Sequence, residues 1–86
     1  MRVELPGDFD RMASRQLLAE IANETRIELD LRNSRFVDSE ALILLCRLLR
    51  EGRELRIHNP PSLYFEAVQV LDLGSILDSV TEGAPS

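Results

Sequence analysis

Arg26-Ile27-Glu28-Leu29-Asp30-Leu31 decides the fold, because charged and apolar residues alternate along it without a break. A period of two puts Ile27, Leu29 and Leu31 on one face of a strand and Arg26, Glu28 and Asp30 on the other. A strand covered on both faces reads as a continuous apolar run instead. The sheet is therefore expected to carry helices on one face, leaving the three charged residues in water. Glu54-Leu55-Arg56-Ile57-His58 repeats the pattern, and Arg2-Val3-Glu4-Leu5 is a shorter version stopped by Pro6-Gly7.

Helical spacing fills the gaps between these strands. From about Arg11 to Asn23, Ala13, Leu17, Leu18 and Ile21 form an apolar stripe that Met12 and Ala22 widen, with Asp8 or Asp10 available as a cap. A second helix is expected from about Ser39 to Glu51, closed by Gly52 in the left-handed position that follows many helices. Asn59-Pro60-Pro61 offers an N-cap followed by proline in a first turn. Tyr64, Ala67, Val68 and Leu71 then make a third stripe, with Gly74 expected to break that helix and Ser75 to Val80 to form a last short one. Strands alternating with helices predict parallel pairing through right-handed crossovers. The fold class is α/β, a small, mainly parallel sheet with helices packed on one face, in a single domain over residues 1–80 with a flexible tail over 81–86.

Composition narrows the function. With 86 residues, the chain buries only about 60–65% of the surface it exposes unfolded, which leaves little material for a walled enzyme cleft. A net charge of −5 opposes binding to nucleic acid or to an anionic membrane surface. All ten basic residues are arginine, which removes Schiff-base and P-loop lysine chemistry. The single cysteine, Cys46, has no intrachain disulfide partner and reads as a buried small hydrophobe. No apolar run reaches the ~18 residues of a membrane span, and the start lacks a signal peptide's hydrophobic region, so a cytoplasmic protein without membrane insertion is expected.

The candidate site is Phe36-Val37-Asp38-Ser39-Glu40-Ala41-Leu42-Ile43-Leu44-Leu45, where a polar step meets a long apolar run. It reads as a loop delivering a helix N-terminus. Asp38 or Ser39 can cap the unpaired N–H groups of the first turn, and the same N–H groups and helix dipole favour a phosphate or carboxylate. Glu40, Ile43, Arg47 and Arg50 share one helical face, where Ile43 is either an apolar partner contact or a tolerated exposed residue.

Four segments, in order, resemble the STAS family, the sulfate-transporter and anti-sigma-factor-antagonist domain. Leu5-Pro6-Gly7-Asp8-Phe9-Asp10 is similar to its Gly-x-Leu/Phe-Asp loop before the first helix. Ile27-Glu28-Leu29-Asp30-Leu31 is similar to its central strand, and Phe36-Val37-Asp38-Ser39-Glu40-Ala41-Leu42 to its hallmark Asp-Ser-Ser/Thr-Gly-Leu step. Leu55-Arg56-Ile57-His58-Asn59-Pro60 resembles the strand that follows. The resemblance implies a binding and switching domain without catalysis or cofactor, whose hydroxyl after the hallmark aspartate is phosphorylated by a partner kinase.

Here that position is Ser39, while the second hydroxyl is replaced by Glu40 and the following glycine by Ala41. A phosphoserine carries about −1.5 to −2 charges against about −1 for a glutamate, so Glu40 is a partial, permanent mimic and the switch is altered. The implied site is Ser39 as phosphoacceptor, Asp38, Glu40, Ile43 and Arg47 as partner contacts, and Gly7, Asp8 and Asp10 as the motif loop. The partner expected is an anti-sigma-factor kinase or, alternatively, an ABC transporter ATPase served by an accessory subunit. Regulatory members also carry a strand before the Leu5-to-Asp10 match, so the sheet edge at Arg2-Val3-Glu4 is open for a homodimer contact. A hydrolase built on Ser39, His58 and an aspartate is disfavoured, because nothing in the spacing brings His58 to Ser39.

Overall fold

The computed structural model describes residues 1–82. Four strands, β1 (Arg2–Glu4), β2 (Arg26–Asp30), β3 (Glu54–His58) and β4 (Thr81–Glu82), lie side by side in chain order and pair in parallel. Four helices, α1 (Arg11–Glu20), α2 (Ser39–Arg50), α3 (Ser62–Val70) and α4 (Gly74–Leu77), form the connections. When strand order advances in one direction and each crossover has the usual right hand, the helices fall on one side of the sheet. The alternating strands demand this arrangement: Ile27, Leu29, Leu55 and Ile57 are buried, while Arg26, Glu54 and Arg56 are exposed. Leu17, Ile21, Leu42, Leu45, Leu48, Tyr64 and Leu77 close the core from the helical side.

Several expectations are corrected. The first helix stops at Glu20, and Met12, Leu18 and Ala22 are exposed, so only Ala13, Leu17 and Ile21 of the expected stripe reach inward. Asp30 is not in water but completely buried. Its Oδ2 accepts from the Arg2 and Arg32 guanidiniums at 2.9 and 3.0 Å, and its Oδ1 from the Arg32 N–H at 3.0 Å and the Asn59 amide at 3.2 Å. Asn59 is thus not a helix cap; it adopts a left-handed φ of 53°, and α3 starts after Pro61.

Gly74 does not break α3, which ends earlier at a left-handed Asp72 with φ 57°. There the N–H groups of Asp72 and Leu73 return to the carbonyls of Gln69 and Val68, a Schellman closure, and Gly74 opens α4. Gly52 performs the same closure on α2 with φ 84°, as its sequence position predicts.

Thr81 and Glu82 belong to β4 rather than to a tail, while residues 83–86 lie outside the described residues. A hydrogen-bond relay pins this short strand: Tyr64 Oη meets Thr81 Oγ1 at 2.6 Å, and Thr81 Oγ1 donates to the Leu77 carbonyl at 2.6 Å. Burial pushes the Tyr64 hydroxyl's pKa up, the Thr81 contact offsetting part of the rise, so the phenol stays a donor at neutral pH. Among the described residues no helix is long and apolar enough to cross a membrane.

Candidate partner-binding site

The start of α2 is held by a clamp between two loops. Phe9 and Val37, both buried, form a single parallel bridge: the Phe9 N–H donates to the Phe36 carbonyl at 3.0 Å, and the Asp38 N–H to the Phe9 carbonyl at 2.9 Å. Asp8 Oδ1 accepts from the N–H groups of Arg35 and Phe36 at 2.9 and 3.2 Å. Ser34 Oγ donates to the Gly7 carbonyl at 2.6 Å. The loop of residues 7–10 therefore extends the β1–β2 pairing beyond the sheet and fixes where α2 begins. Net hydrogen-bond contributions of about 1 kcal/mol each make such a zipper stiff without making it dominate stability.

Each loop then supplies a helix cap. Asp10 accepts from the Ala13 N–H at 2.8 Å and starts α1, while Asp38 accepts from the Glu40 N–H at 2.9 Å and starts α2. Asp38 is the cap and Ser39 the first helical residue, exposed to solvent. The first turns of the two helices are joined by Arg11 Nε and Glu40 Oε2 at 3.2 Å. Beyond them Ile43 is 57% exposed on α2, and Arg47 reaches Glu51 at 3.8 Å. Phe36, half exposed in the loop, adds a second apolar side chain next to the capping step.

The sequence-derived residues are thus sorted by the fold. Asp8, Asp10, Asp38, Ser39 and Glu40 converge through the clamp, and Ile43 and Arg47 continue the exposed side of α2. Gly7 contributes only its carbonyl: a Cβ there meets no atom within 4 Å, and its φ is not positive. Arg11 and Ser34 are the residues of this cluster that the sequence does not point to. Ser34 had no local signal, since its partner lies 27 residues away. Arg11 was legible only as a position lying off the apolar stripe of α1.

The site is a concentration of carboxylates at the carboxyl end of the sheet, tempered by Arg11 and the Arg35 backbone. Asp8, Asp10 and Asp38 are committed to backbone N–H groups, so their positions are fixed, while among the described residues Glu40 has only an exposed guanidinium as partner. Glu40 near the N-terminus and Arg47 and Arg50 near the C-terminus also match the helix dipole. Cys46 is buried, and burial pushes its thiol pKa up against the opposing pull of Arg50, which disfavours the thiolate.

His58 lies on the other side of the sheet, its Nε2 3.0 Å from Glu28 and its Nδ1 3.4 Å from Glu82. Its neighbours are these two carboxylates, and the hydrogen bonds of the described residues give Ser39 no base. The arrangement is suited to presenting a shaped, charged surface. The family model described as Mlab, STAS domain matches residues 1–78, while a search among curated proteins finds no match. With that match covering nearly the whole described chain, and with the Asp38-Ser39 step opening α2 beside a one-sided parallel sheet, the protein belongs to the STAS domain family.

Proposed function

We propose that this chain is a non-catalytic interaction module that docks a regulatory protein in the manner of an anti-sigma-factor antagonist, through Asp38, Ser39, Glu40 and the exposed side of α2. The observation that carries the reading is the clamped start of α2, which holds Glu40 and Ile43 outward from a rigid base. A partner fits it by meeting the carboxylates with cations and covering Ile43 and Phe36 with apolar side chains, the combination of apolar centre and charged rim found in protein interfaces. Ser39 is the accessible hydroxyl at the hallmark step and the proposed phosphoacceptor.

The pairing of Glu40 with Arg11 favours a second reading. A carboxylate occupies the second hydroxyl position and is already matched by a guanidinium, so the surface holds one charge state permanently. A constant surface suits an accessory subunit of an ABC transporter ATPase, which stays bound rather than being released by phosphorylation.

Two measurements divide these readings. Incubation with the cognate kinase raises the intact mass by one phosphate in the wild type and not in Ser39→Ala if the switch operates; no rise with a kinase of verified activity leaves the permanent dock. Affinity capture from the native cell under the first reading recovers a kinase-like regulator; recovery of a transporter ATPase without one selects the second. In either case Ile43→Asp abolishes recovery.

A further inference from the structure

We propose that the free edge of β1 pairs antiparallel with β1 of a second copy, about a two-fold axis at Val3, joining two four-stranded sheets into one. The backbone register exposes the donors and acceptors for it. The Met1 carbonyl accepts from the Glu28 N–H at 2.8 Å, and the Leu5 N–H donates to the Asp30 carbonyl at 3.2 Å. In a parallel ladder alternate residues face the neighbouring strand, so Met1, Val3 and Leu5 turn toward β2, while the N–H and C=O groups of Arg2 and Glu4 point outward. β1 is the end strand of the sheet, and among the described residues no strand pairs with those outward groups.

Charge selects both the occupant and the register. With the axis at Val3, Arg2 of each copy stands opposite Glu4 of the other, and the outward N–H and C=O groups of both residues exchange hydrogen bonds across the axis. An axis at Arg2 would oppose two arginines. An axis at Glu4 would oppose two glutamates and bring Arg2 against Pro6, which has no N–H to give. The short strand is thus complementary to itself in one alignment.

Arg2 has spare capacity for this role: its side chain is half exposed although it already bonds Asp30, and a guanidinium offers five donors. Beside the edge, Met12, Gln16 and Glu20 of α1 line a groove floored by Val3, Leu5 and Leu17. Met12 is 69% exposed there, and a second copy would cover it. Lone exposed edges of this kind are commonly blunted or paired. The surface used is distinct from the start of α2, so each protomer keeps its docking site.

An interface this small belongs to the weak class, with a dissociation constant on the order of 100 μM. Sedimentation equilibrium of the full chain from about 10 μM to about 1 mM should therefore show the apparent mass climbing from 9.8 kDa toward twice that value. Glu4→Pro removes an outward N–H without touching the ladder to β2, and Glu4→Arg sets arginine against Arg2. Both should raise the dimer dissociation constant at least tenfold with the far-ultraviolet circular dichroism unchanged; if the proline variant does not fold, the arginine variant carries the test. Amide exchange at Arg2 and Glu4 should slow as concentration rises. A mass of 9.8 kDa throughout the range overturns the proposal, and so does a Glu4→Arg variant that dimerises as tightly as the wild type.

Discussion

Asp30 and Glu40 are both acids close to a strand-to-helix connection, and the fold treats them in opposite ways. Asp30, at the end of β2, is fully buried and held by Arg2, Arg32 and Asn59 from three different segments. Glu40, in the first turn of α2, is exposed and meets one mobile-length side chain, Arg11. One carboxylate is built into the architecture and the other stays at the surface, where the proposed partner would meet it. The difference follows from reach: Asp30 sits where Arg2 of β1 and the loops after β2 and β3 converge over the outer face of the sheet, whereas Glu40 projects from a helix surface beside α1.

The comparison breaks first at Asp30. Burial by itself would raise its pKa, but the Arg32 N–H, the Asn59 amide and the two guanidiniums outweigh that effect and hold it below the ordinary 3.8. A lowered folded-state value means the stabilisation is complete above the unfolded pKa and is lost as pH falls below about 3.8 toward the folded one. Asp30→Asn keeps the shape and removes the charge from two arginines, and should cost about 2–3 kcal/mol at neutral pH in chemical denaturation. The gap between variant and wild type should narrow as pH falls below 3.8 and the wild-type carboxylate protonates.

Asp8 tests the base on which Glu40 stands. Replacing it with alanine strips two backbone N–H groups of their acceptor, and a loss of about 1–2 kcal/mol is expected, with faster amide exchange at Arg35 and Phe36. Asp72 is an acid whose conformation rather than charge matters. Its left-handed φ of 57° strains any residue with a Cβ, so Asp72→Gly should stabilise by roughly 0.5 kcal/mol after allowing for glycine's extra unfolded-state entropy.

Glu40→Ser should change stability least, within about 0.5 kcal/mol, because exposed ion pairs contribute little. Its partner affinity should nevertheless fall by about tenfold, and further than in Arg50→Ser. A stability loss as large as that of Asp30→Asn would erase the distinction between the two carboxylates.

Strand and helix order, the one-sided sheet, the Gly52 closure and the start of α2 were legible because each is written locally, as a period, a cap or a glycine. Asp30 escapes the pattern because alternation assigns a face to a residue but says nothing of what folds over that face, and Arg2 and Asn59, which join Arg32 in covering it, come from segments 28 and 29 residues away. Thr81 and Glu82 were read as tail since two residues carry no period; what orders them is the Tyr64 and Leu77 relay. At the site, a cap at Asp38 or Ser39 and an exposed Ile43 are readable from helix chemistry, while the choice of Asp38 as the cap comes from the structure. The clamp of Asp8 and Ser34 and the Arg11–Glu40 pair were not, because each depends on tertiary contacts between segments more than twenty residues apart.

The central claim is that recognition uses the start of α2 and not the charged outer face of the sheet. It is tested most directly by capturing partners from the native cell with three forms of the chain in parallel: wild type, Ile43→Asp and Arg56→Ser. Arg56 is exposed on β3 and pairs only with Glu82 among the described residues, so its loss leaves α2 untouched. The expected result is that wild type and Arg56→Ser retain the same partner while the folded Ile43→Asp retains none. Retention by Ile43→Asp together with loss in Arg56→Ser would contradict the account and move the docking surface to the other side of the sheet.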